Sequence, residues 1–273
     1  MRRKMFSVAL LAMAFGISSV SASASAPTAA TEETASDNKE SSAAMQVIHL
    51  EQHRANGDTF TIKTYKSNDG SIFYTIGDRV KDKKKVSELA DSIIKKKLES
   101  REKLFNAGKL NYGTLSAVDS GCNSHDDEAT DPNESSATNR TWGTSCWESD
   151  STWPTHTNWS LEFSGTQKAS WSAADPFYPE KIVLSQTTSY SGFNMSIGIP
   201  PSWEKSGKTI SWKSAPIENE WFVVVTRPKN EVTWTSPFAI VTDADVTDSA
   251  DIYVEDGPGV RIYRPTSEID FQY

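Results

Sequence analysis

From Tyr112 to the C-terminus, apolar residues recur at every second position in short runs. No stretch of useful length there carries the 3.6-residue period of a helix. Runs such as Trp159-Ser160-Leu161-Glu162-Phe163, Lys181-Ile182-Val183-Leu184-Ser185, Thr209-Ile210-Ser211-Trp212, Trp221-Phe222-Val223-Val224-Val225, Val232-Thr233-Trp234 and Phe238-Ala239-Ile240-Val241 are bounded by Gly, Pro, Asn and Ser. A terminal hairpin is predicted from Asp251–Val254 and Val260–Tyr263, which flank the turn Glu255-Asp256-Gly257-Pro258-Gly259. Eight or more strands without crossover helices pair antiparallel and close as two facing sheets or a barrel. The expected fold is mainly β, with an antiparallel β-sandwich (or barrel) over residues 112–273.

Upstream the pattern differs. Gln46–Leu50 and Thr59–Tyr65 have strand composition around the turn Asn56-Gly57-Asp58, and Asn68-Asp69-Gly70 precedes a third strand, Ile72–Ile76. The period then changes: Val86, Leu89, Ala90, Ile93, Ile94, Leu98, Leu104 and Phe105 line one helical face, and Gly108 supplies a stop. Residues 46–110 thus read as a small β-β-β-α module with a basic amphipathic helix, and a detachable pro-segment is one use for it. Between Arg79 and Lys109 stand eleven basic and five acidic residues, a net of +6. Such a helix can present a solvated face, dock on acidic parts of the chain, or meet an anionic envelope.

The N-terminus has the three parts of an export signal. Arg2, Arg3 and Lys4 form a charged start, Met5–Ile17 is almost purely apolar, and Ser21–Ala26 is small. The apolar run falls well short of the ~20 residues of a spanning helix. Cleavage after Ala24 is expected, because cleavage after Ala26 would put Pro27 next to the cut. Residues 1–24 then form a signal peptide and 25–45, rich in Ala, Ser, Thr and Glu, a disordered tether. A secreted, extracellular protein follows. In an oxidising compartment its only two cysteines, Cys122 and Cys146, form a disulfide by default. Without the three leader cations, 25 basic residues face 36 acidic ones, a net of −11, and a main partner of nucleic acid is excluded on charge.

Chemistry is sparsely marked. Gly-x-Ser-x-Gly, His-Glu-x-x-His, dinucleotide and phosphate-loop motifs are all absent, so no catalytic residue is assigned. The four histidines, His49, His53, His125 and His156, carry no local signature. Inside the disulfide loop, Ser124-His125-Asp126-Asp127-Glu128 with Asp131 reads as an exposed acidic loop; Ca²⁺ held by Asp126, Asp127, Glu128 and Asp131 is the cofactor alternative, although the spacing is not that of an EF-hand. All nine tryptophans fall between Trp142 and Trp234. Trp142, Trp147, Trp153 and Trp159 recur every five or six residues in a polar stretch, which suits either a sugar-stacking aromatic platform or indoles packed in a sandwich core. Phe193, Met195, Ile197 and Ile199 alternate with polar residues. With Thr209–Ser214 as the returning strand, they could form a membrane hairpin or an ordinary half-buried one.

The leading expectation is a non-enzymatic binding protein for carbohydrate or cell-envelope polymer. A membrane-active toxin and a hydrolase with a site invisible in sequence are the alternatives.

Overall fold

A computed structural model describes residues 45–109, 119–149, 159–173, 177–193, 195–199, 203–234 and 240–272, all within one compact unit, Ser41–Tyr273. The expected signal peptide, the expected tether up to residue 44, Trp153 and His156 lie outside the described residues. The strands β1 (Gln46–Ala55), β2 (Asp58–Lys66) and β3 (Ile72–Ile76) precede the helix α1 (Lys83–Lys109). After it come β4 (Asp119–Asp131), β5 (Glu134–Ser149), β6 (Trp159–Trp171), β7 (Pro179–Phe193), β8 (Ser196–Gly198), β9 (Glu204–Ser206), β10 (Thr209–Lys213) and β11 (Ile217–Glu218). The chain ends with β12 (Phe222–Thr226), β13 (Asn230–Trp234), β14 (Ile240–Asp256), β15 (Gly259–Tyr263) and β16 (Thr266–Gln272).

Two antiparallel sheets result, as the alternation requires. One runs β1-β2-β3-β12-β6-β5-β4, with β13 continuing the line of β12 along β6 and pairing β8. The other runs β15-β14-β7-β10-β9, with β11 on β7 and β16 on β14. The N-terminal β-β-β-α segment is built into the first sheet, because β3 pairs with β12 from Ile76↔Phe222 to Ile72↔Thr226. β12 is buried on both faces. Phe222 and Val224 share a register face with Ile76, Tyr74 and Lys168, on the side where α1 lies, while Val223 and Val225 turn toward the second sheet.

Local sequence explains the ends of these elements. Asn56 and Gly57 both have positive φ, 52° and 88°, which a two-residue type I′ turn needs between β1 and β2. Asp82 caps α1 by accepting from Lys85 N at 3.1 Å, and Asp58 Oδ2 holds the preceding turn through Lys81 N at 2.9 Å. The helix buries Val86, Ala90 and Ile94, one per turn. Its placement is fixed by Lys168–Asp91 at 2.6 Å and by Lys83 Nζ donating to Ala173 O at 2.6 Å.

Three expectations change. Residues 124–128 are not loop but strand β4, paired with β5 from Asp119↔Ser149 to Asp131↔Glu134. Residues 240–256 form one strand along the whole of β7 rather than two short ones. The hairpin expected of Ser189–Ile199 with Thr209–Ser214 forms only at Ser189↔Thr209: β10 pairs with Ser185–Ser189, while Ser196–Gly198 crosses to β13 in the other sheet. The expected terminal hairpin is present, with Asp256↔Gly259 closing a two-residue turn at Gly257, φ 64°.

Candidate functional site

Where α1 passes over the outer face of β1–β3 it leaves a cavity of about 400 Å³, lined by Ile48, His49, Thr64, Tyr74, Lys96, Lys97 and Ser100. A register shift between Val47 and His49 distorts β1 here, and Val47, Ile48 and Leu50 are exposed. Glu51 organises the charges on the cleft wall. Lys97 Nζ lies 2.6 Å from Oε1, His49 Nε2 lies 2.7 Å from Oε1 and His53 Nε2 lies 3.3 Å from Oε2. The Lys97 ammonium foremost, with hydrogen bonds from His49 and His53, holds the Glu51 carboxyl at about 2 against the opposing effect of burial, well below the usual carboxylate range. Lys95 and Lys96, next to Lys97 in the helix, stand exposed. The cleft therefore offers the exposed Lys96 ammonium, Lys97 and His49 held in place by Glu51, hydroxyls and the apolar side of Ile48.

Of the four tryptophans expected as an aromatic platform, Trp142 and Trp147 have described side chains, both on β5. β5 alternates, with Ala137, Asn139, Thr141, Gly143 and Ser145 buried toward the second sheet, so Trp142 and Trp147 leave opposite faces of the strand. Both indoles are half-buried and packed against core residues, and Trp142 lies under the Arg140 guanidinium at 5.8 Å. Trp159 pairs with Trp234 at one end of β6.

Three of the four acidic residues proposed as Ca²⁺ ligands, Asp126, Asp127 and Asp131, serve other partners. Asp126 pairs with Arg140 at 2.8 Å. Asp127 Oδ2 accepts from Glu268 N at 2.9 Å, and Asp131 accepts from Asn133 N at 2.8 Å and Arg264 N at 2.6 Å. Two carboxylates of β4 thus clasp the backbone of β16 and of the link that leads into it from β15. Among the described residues, no group of three or more potential ligands converges.

Cys122 and Cys146 are bonded, as direct partners in the β4–β5 ladder with Cα atoms 4.1 Å apart. Ile197 is a core residue, Met195 packs against the core and Ile199 is exposed; Phe193 ends β7 opposite Ile240. His49 and His53 serve Glu51, and the exposed His125 meets Phe271 edge-on at 5.0 Å.

The sequence concealed a second cluster, a polar network in the centre of the sandwich. Arg227 and Asp248, both buried, pair at 2.8 Å. Thr141 Oγ1 donates to the same Asp248 oxygen at 2.8 Å and lies 2.6 Å from Ser267 Oγ. Arg227 Nη1 donates to Gln167 Oε1 at 2.8 Å, and Gln167 Nε2 donates to Asn139 Oδ1 and Ser249 O, each at 2.9 Å. Asn139 donates to Asp248 O at 2.9 Å and Ser267 Oγ at 2.7 Å. Burial pushes the Asp248 carboxyl up, against the pull of Arg227 and Thr141. Only the strict alternation of small polar residues along β5 hinted that this face turns inward.

No protein-family model matches the chain, and no match was found among curated proteins.

Proposed function

We propose that the chain is an exported, non-enzymatic binding protein that recognises a phosphate- or carboxylate-bearing polymer of the cell envelope through the cleft between α1 and β1–β3. The observation that carries this reading is the cavity of about 400 Å³ flanked by Lys96, Lys97 and His49. It belongs to a segment of net +6 in a chain otherwise acidic, so an anionic ligand is drawn to this flank and repelled elsewhere. The apolar face of Ile48 and the hydroxyls of Thr64 and Ser100 suit the ring and hydroxyls of a sugar unit beside the anion. Export is supported by the leader pattern and by the Cys122–Cys146 bond, which oxidising compartments preserve.

Co-sedimentation with purified cell walls and with neutral insoluble glycans tests the proposal. Wild type should be retained by walls and not by neutral glycan. The double variant Lys95→Glu/Lys96→Glu, altered only at exposed positions, should lose retention at least tenfold while keeping its melting temperature. Equal retention of the variant would reject the cleft as the binding surface.

A further inference from the structure

Thr141 and Gln167 are direct partners in the β5–β6 ladder, both fully buried on the face turned toward the second sheet. Cross-strand partners hold their Cβ atoms about 4.5–5.5 Å apart, so the threonine hydroxyl and the glutamine carboxamide lie within mutual reach. Their surroundings are asymmetric in a way that suits acyl transfer. The Thr141 hydroxyl donates to the Asp248 carboxylate at 2.8 Å. The Gln167 carbonyl oxygen accepts from the Arg227 guanidinium at 2.8 Å, and its nitrogen is drawn the other way, toward Asn139 Oδ1 and Ser249 O. A hydroxyl beside a base thus stands on the ladder partner of a carbonyl polarised by a fixed cation, with both side chains shut off from water.

We propose that Thr141 and Gln167 become joined by an intramolecular ester that forms once the sandwich has closed. Thr141 Oγ1 attacks Gln167 Cδ while Asp248 takes the hydroxyl proton. The negative charge that develops on Oε1 faces Arg227 Nη1. The Cδ–Nε2 bond then breaks, the proton leaves on the nitrogen, and the products are the Thr–Gln ester and one ammonia. No oxidant, reductant or second reactant enters. Fixed proximity supplies the drive, since well-oriented intramolecular partners react as if present at about 10⁵–10⁸ M. A structural polar core needs only satisfied hydrogen bonds, whereas this one places a nucleophile, a base, an oxyanion partner and a leaving amide on four neighbouring side chains. The ester would bind β5 to β6 as the disulfide binds β4 to β5, giving three successive strands of one sheet covalent ties.

Mass spectrometry of the purified, disulfide-intact full chain decides the matter, with its N-terminus fixed by peptide mapping. The expected mass is one ammonia below that of the sequence with its disulfide formed. After reduction, cleavage at Glu134, Glu148 and Glu162 should give the Thr141 and Gln167 peptides linked to each other. Thr141→Ser should keep the loss, because it keeps the hydroxyl, and Thr141→Val should abolish it. An intact mass with no ammonia missing overturns the proposal whether or not any variant folds. So does an ammonia loss that maps to another residue, such as an asparagine succinimide, or one that persists in Thr141→Val.

Discussion

Asp69 shows how much one buried carboxylate can organise. It sits in the turn between β2 and β3 and accepts from Ser71 N at 2.9 Å, Ser71 Oγ at 3.0 Å and Trp212 Nε1 at 2.7 Å, with Ser67 Oγ as a fourth donor. Burial opposes its ionisation, yet these donors outweigh burial and hold the carboxyl below its ordinary value. A depressed carboxylate contributes stability above the unfolded value of 3.8, and that contribution is lost as pH falls through the folded value. Trp212→Phe keeps the ring that stacks on Phe73 and removes one charged hydrogen bond. It should cost about 1.5–3 kcal/mol at pH 7 in denaturant titration, with the deficit shrinking on acidification below pH 3.8. Asp245 has the opposite sign. Burial, and then the cross-strand Asp270 with Asp243 and Glu268, raise its carboxyl. The fold therefore favours its protonated form, and stability declines as pH rises above 3.8 through the folded value. Asp245→Asn should raise the melting temperature at pH 7 by about 1–2 °C, and the gain should vanish at pH 3.

Among the elements, β4 and β16 carry a prediction that separates a clasp from a metal site. Asp131→Ala leaves the Arg264 amide without its 2.6 Å acceptor, at a cost of about 1–3 kcal/mol. Amide hydrogen exchange along β16 should accelerate in the variant, and added Ca²⁺ should restore nothing. Legibility differed between elements for a physical reason. β2, β10 and the β14–β15 hairpin were readable because their buried positions are apolar: Phe60 and Ile62, Ile210 and Trp212, Ile252 and Val254. Most of β5 was not, because its inward positions hold Asn139, Thr141, Gly143 and Ser145, which pack against a polar core, and β4 was not, because Asp131 is the one buried residue among its described side chains. Glycine belongs at position 143, where a Cβ would come within 2.7 Å of the Phe163 ring. Hydrophobic periodicity cannot register a face whose burial is satisfied by hydrogen bonds. Trp142 and Trp147 fall on opposite faces of β5 for the related reason that a five-residue interval in a strand alternates sides.

For the molecule as a whole, the decisive fact is that β3, β12 and β6 form one continuous stretch of sheet. Removing residues 1–110 would uncover Phe222 and Val224 and leave β12 without a partner on one side. The shortened chain should therefore lose the single cooperative transition expected of the full chain and bind a hydrophobic dye, as measured by calorimetry and fluorescence. A pro-segment that leaves an intact sandwich behind would show the reverse.

The sequence by itself determined the strand-rich class, the amphipathic helix, the tight turns at Asn56-Gly57 and Gly257, and the cysteine pair. All of these depend on neighbours within a few residues or on there being only one possible pairing. Tertiary structure alone decided that the N-terminal strands complete the main sheet and that β4's acids grip β16. It also placed Thr141 beside Gln167, Asp248 and Arg227, and Lys97 beside Glu51. Those contacts join residues far apart in the chain, where sheet order and register set the distances and local pattern has no say.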